Sequence, residues 1–375
     1  MKILMLTTNS SLMDGINRHI LAISSEINNL QNYEVAVCTV FPNAELHEAL
    51  NLLGVKNYSL NSNSGHDIGI FYRFMKVMND FKPDIIHAHV MAIYERIVLS
   101  VFFRDIKYVL TIHGLLDVVE HKTIRMRIEN MITNLFPVRF SATCTVSNGV
   151  RQQLFGNTDE RVYTVYNPIF FPEEIKKTHS LHKLLNVSYD TPLIGTACRL
   201  APVKNPYAFT EIMCKVLRAG DNVHAVVMGD GDSSLSNSLH DIVNKYGVQD
   251  RFHWLGYRQD APELIKDLNC FVLTSFSEGM PTSLLEAMAS KVPFAMFEGK
   301  GGLIDIADLN KEKKIGIIVQ DGNLDKISEE ICKLLDDLNI QDALTNNAYN
   351  IGKKYFNIKS VCSTLCQIYN TVCGQ

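Results

Sequence analysis

Short apolar runs of strand character alternate with stretches of helical period along this chain, and they do so in two successive series. In the first series the runs fall at 3–7, 35–40, 85–88, 108–112 and 142–146. They are continuously apolar rather than alternating, so each strand needs cover on both faces, as in a parallel sheet. The cover is legible between the first two runs, where Ile16, Ile20, Ile23 and Ile27 share one face of a helix predicted over Asp14 to Asn28. A second series of strands is predicted at 193–198, 225–228, 252–255, 270–274, 294–297 and 315–319. Between the two, from about Pro168 to Thr191, the periodicity fades into Asn-Pro, Phe-Pro and a Lys/His-rich stretch.

With 375 residues the chain exceeds the roughly 250 to 300 at which a single core stops growing. The expected fold is therefore α/β with two Rossmann-like, doubly wound domains, at 1–170 and 171–355. A last segment, 356–375, carries Val361, Leu365, Ile368 and Val372 at helical spacing and is expected to return to the first domain.

Composition narrows the function. A formal net charge of −4 gives no basic stripe for nucleic acid, so none is expected as a partner. The nine cysteines are scattered, odd in number and without a CxxC pair, which reads as reduced, buried thiols in a cytoplasmic protein. The apolar start, Met1 to Leu6, is too short for a signal peptide and reads as a first strand, and no stretch reaches the roughly 18 apolar residues that span a bilayer.

Open α/β sheets bind ligands at the carboxyl ends of strands, where helix N-termini offer free N–H groups to anions. Three such junctions carry chemistry. Asn9 to Asn17 is a polar loop with a single glycine, Gly15, that would let backbone approach a ligand; an ordinary turn with a helix cap fits it too. Arg199-Leu-Ala-Pro-Val-Lys204-Asn205-Pro206 places two cations beside a helix start, with Asn205 as N-cap and Pro206 first in the helix. That arrangement suits a diphosphate, although two solvated surface cations are the plainer reading. In the third, Ser277 to Glu286, two carboxylates stand seven residues apart. Glu286 has a structural alternative in a capping box with Ser283, and Glu278 has one as a solvated loop carboxylate.

These residues also carry a resemblance. Glu278-x7-Glu286 within SEGMPTSLLEAMA, with the Arg199-x4-Lys204 pair of GTACRLAPVKN, resembles the retaining glycosyltransferases of family 4 (group 1), whose two-domain fold with a central cleft is called GT-B. MKILMLTT, KPDIIHAH, VLTIHG, TVSNGV, VVMGDG and FHWLGYRQD follow in the family's order. The resemblance implies that Arg199 and Lys204 bind the donor diphosphate and steady its growing charge. It implies that Glu278 accepts donor-sugar hydroxyls and Glu286 ribose hydroxyls, as carboxylates can. Gly15 and the stretch Gly279, Met280, Pro281, Thr282, Ser283 and Leu284 are implied to line the donor. Gly256, Tyr257 and Arg258 match the place where the family holds the base by backbone groups. His113 falls where the family sets a histidine against sugar and acceptor; a capped strand-end histidine is the alternative.

No cofactor and no metal are expected. His87 and His89 are two apart at a strand end but show no third ligand in the sequence. Asp230-Gly-Asp232 looks like the DxD of metal-dependent GT-A enzymes, but Gly229 and Gly231 there read as a turn. The implied activity is retaining transfer of a hexose or N-acetylhexosamine, from a UDP-sugar, to a hydroxyl of a glycan or lipid-linked acceptor in surface polysaccharide assembly. The implied route is front-face, with no enzyme nucleophile; a double displacement, for which Glu278 is the candidate nucleophile, is the alternative. Lys122, Arg125, Arg127 and Arg139 among apolar residues form a basic amphipathic stretch that could touch the inner face of the cytoplasmic membrane; a helix packed on the first domain explains it as well. Asp14-Gly15 and Asn167-Pro168 depart from the family's usual Gly-Gly and Asn-Gly. A GT-B sugar-nucleotide epimerase and a non-catalytic sugar-nucleotide sensor are the competing readings.

Overall fold

A computed structural model describes residues 1–8, 15–62, 67, 69–89, 101–103, 105–114, 139–156 and 160–374. Contacts divide the chain into two compact units, Met1–Pro168 with Ile358–Gln375, and Ile169–Asn357.

The first unit holds a parallel sheet of β1 (Lys2–Thr7), β2 (Glu34–Thr39), β3 (Lys56–Ser59), β4 (Ile85–Ala88), β5 (Lys107–Ile112), β6 (Ala142–Thr145) and β7 (Val162–Thr164), in the order 3-2-1-4-5-6-7. Two of these strands were not predicted. Lys56–Ser59 (KNYS) and Val162–Thr164 (VYT) are short edge strands, where one neighbour and partial solvation remove the need for an apolar run. The central strand is the opposite case: Ile3, Leu4, Met5 and Leu6 are all but fully buried. One face of the sheet lies under the helix Gly15–Asn28, through Ile20, Ile23 and Ile27, and under the C-terminal helix Ile358–Cys373, through Val361, Leu365, Ile368 and Tyr369. The other face is closed by the helix Gly69–Phe81, which contributes Phe74, Val77, Met78 and Phe81.

In the second unit β8 (Leu193–Ala197), β9 (His224–Met228), β10 (Phe252–Trp254), β11 (Cys270–Leu273), β13 (Phe294–Phe297) and β15 (Ile317–Val319) are parallel in the order 10-9-8-11-13-15. A two-stranded ribbon of β12 (Ser277–Glu278) and β14 (Lys300–Gly301) is added beside it. The sequence reading had no place for that ribbon, because two-residue strands leave no periodic trace. It also missed the short helix Ser180–Leu185, which lies within the faded stretch. All nine cysteines are free, six of them buried.

Both sheets reverse their strand order once, between β1 and β4 and between β8 and β11. At such a switch point the neighbouring connections leave toward opposite faces, so the carboxyl ends of the two strands are not roofed by a helix.

The C-terminal helix is tied to the sheet by a polar contact as well as by its apolar face. The Tyr369 hydroxyl lies 2.6 Å from His87 Nδ1, and His87 Nε2 lies 2.7 Å from the Thr111 hydroxyl, with all three residues buried. Tyr369→Phe strands the His87 nitrogen in the core, so we expect a loss of about 1–3 kcal/mol in urea denaturation. An unchanged midpoint would show that the contact contributes nothing.

Candidate functional site

Of the residues singled out in the sequence, Arg199, Lys204 and Glu278 lie at the switch point of the second unit, His113 follows β5 beside that of the first, and Gly256 to Arg258 follow the edge strand β10. In the second unit, the loop after β8 and the loop after β11 are laced together by backbone and hydroxyl contacts. The Thr274 hydroxyl reaches both Lys204 O and Asn205 O at 3.0 Å, and Phe276 N donates to Val203 O at 2.9 Å. A single 3-10 turn, Pro202–Lys204, leads to Asn205 in the left-handed conformation at φ 51°. Asn tolerates that geometry, and as N-cap it accepts from Ala208 N, so the helix Pro206–Ala219 starts directly after Lys204. The expected N-cap and first-turn proline are in place.

This lacing sets Lys204 against Glu278. Lys204 Nζ lies 2.7 Å from both carboxylate oxygens, and the Ser275 hydroxyl donates to Oε1 at 2.6 Å. The Glu278 side chain is 10% exposed and that of Lys204 is 22% exposed. Partial burial makes the pair stronger than a surface ion pair, and Ser275 satisfies a further lone pair. A carboxylate has about four acceptor positions and an ammonium three donors. Glu278 therefore keeps acceptor capacity for an incoming hydroxyl, and Lys204 keeps one N–H for an incoming anion. Arg199, one turn earlier in the same loop, is exposed.

The helix after Glu278, Thr282–Ala289, begins with Pro281 as N-cap and no side-chain cap hydrogen bond. The capping box that stood as the structural alternative for Glu286 is absent: Ser283 sits inside the first turn, and Glu286 is the fifth helical residue, beyond a cap's reach. Gly279 and Met280 run against a second glycine loop, Gly299 to Gly302, which opens the helix Gly302–Glu312. A Cβ on Gly302 would stand 2.5 Å from Gly279 O and 2.9 Å from Met280 Cα. Sequence reasoning passed over this loop, although three glycines in four residues after β13 are a visible signal. Ser275 and Thr274 were missed as well, and nothing local in the sequence marks them.

On the other side of β8, Asp230 and Asp232 both have structural work. Asp230 Oδ2 accepts from Tyr257 N at 2.8 Å, and Asp232 caps the helix Ser233–Tyr246 through Leu235 N. Gly229 and Gly231 make the turn, since a Cβ on either would strike Cys198 O or Leu200. The Tyr257 N–H is thereby engaged, the Arg258 guanidinium is paired with Asp260 at 2.7–2.9 Å, and Gly256 stands in the left-handed region at φ 63°.

In the first unit, Gly15 is the first residue of its helix, and the loop residues 9–14 lie outside the described residues. So do 122–138 of the basic stretch. His113, just past β5, meets His89, just past β4, with Nε2 2.9 Å from His89 Nδ1. His19, on the first helix, completes a trio in which one ring nitrogen from each lies within 4.8 Å of the others. The sequence reading found no third partner for His87 and His89; His19 lies 68 positions before His87 and His113 lies 24 after His89, so only folding brings them together. Burial holds these rings neutral: it lowers His19 to about 4 and His87 to about 3, and drives His89 and His113 well below their ordinary value.

Two family models cover these two units. The model for Glycosyltransferase Family 4 matches residues 13–170, and that for Glycosyl transferases group 1 matches 180–351. The chain belongs to the group 1 glycosyltransferases. Relatives of this family include a UDP-Gal:α-D-GlcNAc-diphosphoundecaprenol α-1,3-galactosyltransferase of Escherichia coli, 28% identical over 201 residues, 51% of this chain and 50% of that protein. Another is an N,N'-diacetylbacillosaminyl-diphospho-undecaprenol α-1,3-N-acetylgalactosaminyltransferase of Campylobacter jejuni, 28% identical over 188 residues, 50% of this chain and 47% of that protein. The chain thus spans about half the length of these curated relatives. Among solved structures, HepE of Anabaena in complex with UDP and glucose shares the fold, with a TM-score of 0.79 at 18% identity, covering 99% of this chain and 100% of that one. Both units are Rossmann-like.

Two outcomes follow from the geometry of this group 1 glycosyltransferase. Gly302→Ala forces backbone apart beside Glu278, and we expect it to cost about 1–3 kcal/mol in thermal unfolding and to weaken nucleotide binding. Wild-type behaviour in both would mean that the two loops are not rigidly apposed. The neutral histidines make stability depend on acid. An unfolded imidazole takes a proton near pH 6.5, whereas the folded rings do so only near or below 4, so stability is full above pH 6.5 and falls as pH drops toward 4. The slope is at most about 1.4 kcal/mol per pH unit for each such ring. Melting scans from pH 7.5 to 5 should show that fall, and a flat profile would contradict the buried neutral rings.

Proposed function

We propose that the chain is a retaining, metal-independent transferase that moves a hexose or N-acetylhexosamine from a UDP-sugar to a hydroxyl of a glycan or lipid-linked acceptor, in the assembly of a surface polysaccharide. The observation that carries it is the Lys204–Glu278 pair with Arg199 in the same loop, at the switch point of the second unit. Arg199 and the remaining N–H of Lys204 suit a diphosphate, whose charge grows as the C1–O bond breaks. Glu278, with Glu286 and the backbone from Gly279 to Leu284, suits sugar and ribose hydroxyls. The backbone of Gly256 to Arg258 is assigned to contact with the base. In the first unit this reading assigns His113 to the sugar or acceptor.

The same pair supports the front-face route. A nucleophilic Glu278 would have to release Lys204 and the Ser275 hydroxyl before attacking the anomeric carbon. In the route we favour, the bond from C1 to the diphosphate breaks and the bond from C1 to the acceptor oxygen forms on the same face. The acceptor's proton passes to the departing phosphate oxygen. UDP as carrier and a diphosphoundecaprenol-linked acceptor are suggested by the names of the bacterial relatives. Among the described residues no helix is long and apolar enough to cross a membrane, so contact with a lipid-linked acceptor would be peripheral, through 122–139.

Calorimetric titration of UDP and GDP, with EDTA present, into the wild type and an Arg199→Ala/Lys204→Ala variant tests the reading. We expect micromolar binding of UDP by the wild type and a loss of tenfold or more in the variant, since each charged hydrogen bond is worth about 1.5–3 kcal/mol. Binding of neither nucleotide, or equal binding by the variant, would overturn it.

A further inference from the structure

His19, His87, His89 and His113 crowd the switch point of the first unit, with ring centroids 4.3 to 5.3 Å apart along the cluster. A trio of imidazoles, two buried and His113 half-buried, invites a metal, and the hydrogen-bond geometry argues against one. Two imidazoles on a tetrahedral zinc, each with a bond of roughly 2.0–2.1 Å, hold their ligand nitrogens roughly 3.3 Å apart with both lone pairs aimed at the ion. His89 Nδ1 and His113 Nε2 are 2.9 Å apart and hydrogen-bonded, so each points at the other. One of them carries the proton between them.

Proton accounting decides which. A neutral imidazole has one N–H and one lone pair. His89 Nε2 is buried and meets no hydrogen-bond partner among the described residues. If the His89 proton sat there, a buried N–H would be stranded, which folded proteins avoid more strictly than an unused acceptor. The proton therefore belongs on Nδ1 and is donated to His113 Nε2. That leaves His113 to carry its own proton on Nδ1, the nitrogen turned away from His89. His19 follows the same pattern, since its Nδ1 lies 3.1 Å from the amide oxygen of Asn167, which can only accept.

The geometry points to His89 as a positioning residue that locks His113 in its Nδ1–H tautomer, so that His113 offers a hydrogen-bond donor, not a base, to an oxygen of the bound sugar or phosphate. The functional half of this rests on the glycosyltransferase reading of His113; the tautomer does not. It agrees with a route in which the departing phosphate takes the acceptor's proton, because a neutral donor at His113 does not compete for it.

The full-length protein, labelled with 15N-histidine and assigned with a His113→Gln variant, gives the tautomer directly from two-bond 1H–15N spectra. We expect a protonated Nδ1 and a bare Nε2 on His113. His89→Phe should convert His113 toward the Nε2–H form, and His89→Gln, whose amide still donates, should hold the original form. A wild-type His113 protonated on Nε2 overturns the proposal, as does a tautomer unmoved by His89→Phe. If His89→Phe does not fold, the wild-type spectrum decides alone. One equivalent of zinc chloride should leave the ring signals in place; a joint shift of His19, His89 and His113 would replace the proposal with a metal site. No nucleotide enters the measurement, so its failure is separable from a failure of Arg199 and Lys204 to bind UDP.

Discussion

A parallel sheet that reverses its strand order leaves one pair of neighbouring carboxyl ends uncovered, and each unit of this protein gathers candidate site residues at or beside such a pair. In the first unit the pair is β1 and β4; in the second it is β8 and β11. The sheet imposes this before any functional residue is chosen, because right-handed crossovers to the two sides of the switch leave toward opposite faces. Lys204 and Glu278 meet because the loops after β8 and β11 are neighbours there, and the Thr274 hydroxyl and Phe276 amide keep those loops in register. His89 and His113 meet because β4 and β5 are paired, with Ala88 opposite Leu110.

The two clusters solve different electrostatic problems. Around Lys204 the charges are retained and matched, with spare hydrogen-bonding capacity on both partners for a ligand that is itself charged and hydroxylated. Around His113 charge is removed, since burial depresses every ring in the group and leaves a neutral network.

Much of the fold was legible because apolar strands buried on both faces leave continuous runs that helical segments interrupt at regular intervals. Ile85–Ala88 and Phe294–Phe297 fell where the runs predicted. The edge strands Lys56–Ser59 and Val162–Thr164, and the ribbon pairing Ser277–Glu278 with Lys300–Gly301, left no such runs, being short and partly solvated. At the site, Arg199, Lys204, Glu278 and Glu286 were visible as charged residues at strand-to-helix junctions, where charge in an apolar context stands out. Thr274 was read only as the end of a strand, Ser275 and the loop Gly299 to Gly302 were passed over, and the alternative of a capping box at Ser283 fell away because Pro281 begins the helix.

The sequence by itself determined the α/β class, the two successive strand series and the residues that bring charge to the ends of strands, because periodicity and junction chemistry are local properties. Only the tertiary structure decided which of those residues share a hydrogen bond. Lys204 and Glu278 are 74 positions apart, and His19 and Asn167 are 148 apart. Their meeting depends on strand order, and a parallel order is fixed by how crossovers pack against the sheet, which no local stretch of sequence records.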